Sequence, residues 1–211
     1  MKTLFGKTWI VMVAIMFTVG FGFSSCSDDD NETATPQLIN ANLTDSEEEA
    51  LLFMLEEEKL ARDVYIYLGN LWGTNQFLNI KQSEQTHMDA VKSLLDKYDV
   101  SYEILPVGSF NNQELQFLYN TLIEQGSQNV LSALNVGAGI EDLDIVDLQN
   151  YLDEMERPDI VAVFESLQCG SENHLRSFVF GITNLGEDYV PSYLTPEIYE
   201  SILNSEQQSC L

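Results

Sequence analysis

Ionisable side chains stand inside the apolar helical stripes of this 211-residue sequence, and that conflict limits what the chain can fold into. From Thr44 onward, apolar residues recur every three or four positions and nothing alternates with period two over a useful length, which predicts an all-α chain. Thr44 or Asp45 offers an N-cap oxygen, Glu47 to Glu49 suit the positive end of a helix dipole, and the stripe runs to Leu68. A first helix is expected over about 45–69. Gly69-Asn70 and Gly73-Thr74-Asn75 then punctuate the chain before a second helix over about 75–98, striped by Phe77, Ile80, Met88, Val91, Leu94 and Leu95. A loop with Pro106 and Gly108 leads to a shorter helix over about 111–125, with Gly126 as its left-handed stop and Ser127 as the cap of the next.

That next helix, about 128–154, carries Val130, Leu134, Ile145, Leu148 and Leu152 on one stripe, and a fourth long helix runs from Pro158 to about Thr183. Pro191, Thr195 and Pro196 mark a loop and a short helix ending near Asn204. Four long amphipathic helices predict a four-helix bundle, with the helix at 111–125 inserted in the crossover between the second and third long helices and the short C-terminal helix over one end.

An unpaired buried charge is too costly to keep, so the acids inside these stripes need compensation. On the third long helix Glu141 points into the core, Asp144 lies to one side, and Gly137, Ala138 and Gly139 leave room for a ligand or a close helix. On the second, Glu84 and His87 sit three apart between Ile80 and Val91 and share the inward face, a spacing that lets a carboxylate and an imidazole meet on one metal ion. On the first, Glu57 and Glu58 flank the stripe of Leu51, Met54, Ala61, Tyr65 and Leu68, so either can face inward, while Glu56 points away. Tyr65 and Tyr98 read as core, and Arg62 as a partner that orients a carboxylate or as a surface pair with Glu58 or Asp63. Three cysteines without Cys-x-x-Cys spacing exclude a disulfide scaffold and a structural zinc site, which leaves any metal to the carboxylates and the two histidines.

Glu58-Lys59-Leu60-Ala61-Arg62-Asp63-Val64-Tyr65, Ser83-Glu84-Gln85-Thr86-His87, Gly139-Ile140-Glu141 and Gly170-Ser171-Glu172-Asn173-His174 resemble the ligand-bearing segments of the ferritin-like di-iron carboxylate superfamily, in order and in helix placement. The first is similar to the Glu-x-x-Ala-Arg-x-x-Tyr run of rubrerythrin-type proteins, which selects Glu58 over Glu57. Residues 44–204, with Tyr189 to Leu194, are similar to a prokaryotic branch of that superfamily. The resemblance implies a ferritin-like bundle, two iron or two manganese ions, and Glu58, Glu84, His87, Glu141 and His174 as ligands, with Glu172 as a further candidate. One position departs from it: the usual glutamate three before the last histidine is Ser171, and Glu172 reaches the site only if the helix is distorted, as a π-bulge at Gly170 would allow. Asp144 or water is then left to fill the place, and one ion or a weak second ion stays open.

Residues 1–25 carry Lys2, Lys7, an apolar run from Trp9 to Phe23 and no acid, which reads as an export signal. The run closes on Phe23-Ser24-Ser25-Cys26 and looks like the lipobox of bacterial lipoproteins, so cleavage before Cys26 and its lipidation are expected, an uncleaved anchor being the alternative. Residues 26–43 read as a flexible acidic tether, in which Ser27-Asp28-Asp29-Asp30 resembles a surface-export signal, and the helical domain spans 44–211. The location expected is the bacterial cell envelope, on the outer membrane, facing the cell surface or else the periplasm. Nine basic residues against 34 acidic, a formal charge of −25, exclude nucleic acid as a partner; membrane and metal ions are the partners expected, and a homodimer is compatible. Cys169 and Cys210 can pair in an oxidising compartment, although Cys210 stands next to the terminus. The functional reading is metal-dependent redox chemistry on oxygen or peroxide, the alternative being a non-enzymatic metal-binding or interaction module.

Overall fold

The computed structural model describes residues 42–210; the expected signal peptide 1–25, Cys26 and the tether up to residue 41 lie outside the described residues. Six α-helices and no strands occur among them: α1 (Asp45–Trp72), α2 (Asn75–Lys97), α3 (Gln113–Gly126), α4 (Val130–Glu154), α5 (Pro158–Thr183) and α6 (Pro196–Asn204). None is long and apolar enough to cross a membrane.

Local chemistry sets the helix ends. Thr44 closes a capping box with Glu47: its side chain accepts from the Glu47 N–H at 3.2 Å while its own N–H donates to Glu47 Oε2 at 2.8 Å. The first helix runs three residues past the expected end because the left-handed turn falls at Gly73 (φ 66°), whereas Gly69 stays helical and lets Phe77 approach. Gly126 is likewise no left-handed stop: it ends α3 as a helical residue packed against Leu68, and a Cβ there would lie 2.8 Å from that side chain. Asn129, not Ser127, caps α4, accepting from the Ser132 N–H at 2.8 Å.

The four long helices close a ring of contacts, α1 on α2, α2 on α5, α5 on α4 and α4 on α1, while α3 lies against α1 and α4 and α6 against α5. Two apolar clusters fill the interior. One holds Leu68, Phe77, Leu134, Leu175 and Phe178, with the rings of Tyr65, Phe77 and Phe178 5.2–5.7 Å apart. The other holds Leu51, Met54, Met88, Leu95, Leu148 and Phe164. Each long helix passes from one cluster to the other, α1 and α5 in one direction and α2 and α4 in the opposite one, and at the crossing point each presents polar residues. Because α2 and α4 run the same way, the chain between them must return the length of the molecule, and α3 occupies that crossover.

Charged side chains fasten the periphery to this frame. Buried Lys59 donates to Asp63 Oδ2 (2.6 Å) and to the carbonyls of Pro106 (3.2 Å) and Ser109 (2.9 Å), holding the crossover loop to α1. Arg62 donates to Asp63 and Gln85 and not to Glu58. A disulfide joins Cys169 to Cys210, with Cα atoms 5.8 Å apart, and ties the tail to α5.

The glycines of α4 admit a close helix. A Cβ on Gly137 would sit 2.4 Å from the Phe178 ring, whereas on Gly139 it would meet only the Tyr189 hydroxyl at 3.9 Å. Gly137→Ala is therefore expected to lower stability in urea unfolding by about 1–3 kcal/mol, and Gly139→Ala to leave the midpoint unchanged or raised, since alanine favours the helix.

Candidate metal centre

Each long helix brings its polar residues into one layer between the two apolar clusters. Glu58 comes from α1, Glu84 and His87 from α2, Glu141 from α4 and His174 from α5, none more than 7% exposed. On α2 the three-residue spacing turns both side chains the same way. On α5 no π-bulge forms; the helix is continuous through Gly170, whose missing side chain makes room for His87, since a Cβ there would lie 2.5 Å from His87 Nε2.

The five side chains form two groups that share Glu84. One ligand atom each from Glu58, Glu84 and His87 lies within 4.8 Å of the others, and so does one each from Glu84, Glu141 and His174. His87 Nδ1 is 3.1 Å from Glu58 Oε2 and 3.0 Å from Glu84 Oε2, while His174 Nδ1 is 2.9 Å from Glu84 Oε1 and 3.5 Å from Glu141 Oε2. The imidazole rings stack 5.5 Å apart. Glu84 Oε1 and His174 Nδ1, though 2.9 Å apart, are not aligned to hydrogen bond, and both remain without a hydrogen-bond partner, as does Glu58 Oε1. His87 Nδ1 and Glu58 Oε2 do hydrogen bond, but buried polar atoms left without a partner in the same layer are the kind of donor a cation would satisfy.

Burial and the neighbouring charges compete at every group. Burial pushes the Glu58 carboxyl up to about 7 against the pull of His87. At Glu84 burial is outweighed by His174 and His87, and the carboxyl lies below its ordinary value; at Glu141 burial and Glu84 raise it. Burial would lower both imidazoles, yet Glu58 and Glu84 hold His87 well above its usual range, and Glu84 and Glu141 push His174 up to about 10.

Four further neighbours lie outside the ligand set that the resemblance implies, and of these the sequence pointed only to Glu57 and Ser171. Tyr65, read as core, donates its hydroxyl to Glu141 Oε1 at 2.5 Å. Asp142, fully buried beside Glu141 in sequence, accepts from the Tyr189 hydroxyl (2.8 Å) and the N–H groups of Ser192 (2.6 Å), Tyr193 (3.1 Å) and Leu194 (2.8 Å), anchoring the tail. No local signal announces that bond, since its partners lie about 50 residues away. Ser171, buried on α5, donates to Asp144 Oδ2. Glu57 is buried as well and faces Asp144 and Asp147, whose charges together with burial raise it well above the carboxylate range. Glu172 stands apart from both groups: it lies on the outer side of α5, accepting from Arg176 at 3.3 Å, because a straight helix turns it away from His174. Glu56 accepts from the N–H groups of Asn111 and Asn112, both at 2.7 Å. A surface cleft of about 560 Å³ between α1, α3 and α4 has Glu57 on its wall and none of the five convergent residues.

A family profile described as "Uncharacterized protein domain (DUF2202)" matches residues 47–206. The uncharacterized protein MJ0754 of Methanocaldococcus jannaschii is 46% identical over 168 residues, 79% of this chain and 91% of that protein. The crystal structure of hypothetical protein MJ0754 from Methanococcus jannaschii is similar with a TM-score of 0.77 at 46% identity, covering 79% of this chain and 96% of the solved one.

In the metal-free chain His174 keeps its proton to about 10 against an ordinary 6.5, so the stability it confers is complete below pH 6.5 and is lost as pH climbs through about 10. Glu58, raised from 4.5 to about 7, adds a loss of the same sign across that lower interval. Melting temperature is expected to fall from about pH 7 to about pH 10, and to fall less once a divalent ion replaces the imidazole proton; thermal melts with and without metal check both.

Proposed function

The chain belongs to the DUF2202 family, and from that premise we propose that it is a lipid-anchored, ferritin-like four-helix protein that holds two iron or manganese ions for redox chemistry on oxygen or peroxide. The observation that carries this reading is the shared Glu84: two groups of three buried donors meet on it, with its Oε1 lacking a hydrogen-bond partner. Glu58, Glu84 and His87 would hold one ion, and Glu84, Glu141 and His174 the other. A mixed carboxylate and imidazole set suits iron and manganese, and one such set from four helices is the pattern of ferritin-like carboxylate centres. Either metal, when bound, supplies electron-transfer and Lewis-acid chemistry.

The chain's own residues would do the rest. Tyr65 orients Glu141 through its hydroxyl, and Gly170 leaves His87 the space it needs. The apolar clusters on either side exclude water, and burial of all five donors favours a reactant as small as oxygen or peroxide over an organic substrate. That same enclosure supports the second reading, a non-enzymatic metal-binding module, in which a bound ion is held and not turned over.

Elemental analysis of the full chain tests the proposal. About two ions per chain are expected, with both lost in Glu84→Ala because it serves both groups and one retained in His174→Ala. Absence of iron, manganese and zinc after supplemented expression, with no uptake on anaerobic titration, defeats the reading. Sustained peroxide consumption with a reductant favours the enzyme, and a single stoichiometric burst favours the binding module.

The anchoring rests on the apolar run from Trp9 to Phe23 and the Ser24-Ser25-Cys26 that follows it. Cys26→Ser is expected to move the chain from the membrane fraction to the soluble fraction of envelope preparations, and an unchanged distribution would point to an uncleaved segment instead.

A further inference from the structure

The five donors supply three carboxylates, and two divalent ions carry four positive charges, so a layer sealed between apolar clusters would keep a net charge. The position on α5 that shares an inward face with His174 is Ser171, which is 1% exposed and brings no charge. Its hydroxyl, however, donates to Asp144 Oδ2. Asp144 lies on α4 three residues after Glu141, is 5% exposed, and leaves its other oxygen, Oδ1, buried without a hydrogen-bond partner. Among the charged groups around it, Glu58 acts on it most strongly, followed by Glu141 and Glu84.

Resting on the two-ion reading above, we propose that Asp144 is the fourth carboxylate of the centre, supplying Oδ1 to the ion held by Glu58 and His87, and that Ser171 is its positioning residue. The carboxylate that α5 lacks is delivered from α4 across the helix interface. Asp144 stands outside both three-donor groups, so ligation requires its side chain to swing toward Glu58 with Oδ2 still hinged on Ser171. Four carboxylates and two neutral imidazoles then balance two divalent ions, and the layer becomes electrically neutral. Glu57 is the other buried acid nearby; it interacts with Asp144, Asp147 and Glu58, belongs to neither three-donor group, and makes no hydrogen bond to Ser171.

Cobalt(II) titration of the full chain, read by its visible absorption and by equilibrium dialysis, tests the assignment. Wild type is expected to bind two ions. Asp144→Asn, nearly isosteric, should leave one ion in place and weaken the other by more than about 100-fold, beyond the 10–100-fold that loss of an outer partner costs. Ser171→Ala should weaken the same ion by about tenfold and shift its absorption. Should Asp144→Asn fail to fold, the Ser171→Ala result decides alone. Two ions bound by Asp144→Asn at unchanged affinity, or with a loss no greater than about 100-fold, overturns the ligand role while the two-ion reading stands. An unaltered cobalt spectrum in Ser171→Ala overturns the positioning role, and a wild type that takes up no cobalt overturns both readings.

Discussion

Compensation of buried charge is the constraint on which the rest of this structure depends. Three carboxylates and two imidazoles lie in one layer with apolar clusters above and below, buried from the solvent that would screen them. In that setting a carboxylate needs an imidazolium, a cation or several hydrogen-bond donors beside it, so the four helices that carry these groups must all reach the same level. The antiparallel ring of α1, α2, α5 and α4 is the arrangement that brings them there. The same rule governs the outer parts. Lys59 and Asp63 neutralise one another while binding the crossover loop, and Asp142 spends its lone pairs on the N–H groups of the tail.

The buried donor layer is asymmetric for a physical reason. Helix α2 contributes two inward groups at three-residue spacing, but α5 contributes only His174, with Ser171 in the corresponding place. A hydroxyl cannot replace a carboxylate's charge, although it can hold one supplied by another helix. Ser171 does so for Asp144, and the small Gly170 beside it lets the His87 ring fill the gap between α2 and α5.

Much of this was legible from spacing. The helical period located all six helices to within a few residues, and the conflict between Glu84, His87 and Glu141 and their apolar stripes pointed to a buried polar layer. Both candidates on α1 proved buried, which a stripe edge cannot resolve, because the face opposite Glu57 is set by where α4 packs. Glycines were the least legible elements. By sequence Gly126 suggests a helix stop and Gly170 permits a bulge, whereas both serve close approach, one to Leu68 and one to His87. A sequence shows that a side chain is missing but not which neighbour needs the space.

What the sequence by itself determined is therefore local and periodic: the all-α class, the Thr44 cap and the inward direction of Glu84 and His87, because these follow from the side chain at the helix start and from a fixed rotation of about 100° per residue. What only the tertiary structure decided is which groups meet across helices: Tyr65 with Glu141, Asp144 with Ser171, Asp142 with the tail, and the sharing of Glu84 between two donor groups. The three hydrogen-bonded contacts span 27 to 76 residues, and all four depend on the height and rotation at which separate helices pack, quantities set by the whole core and encoded at no single position.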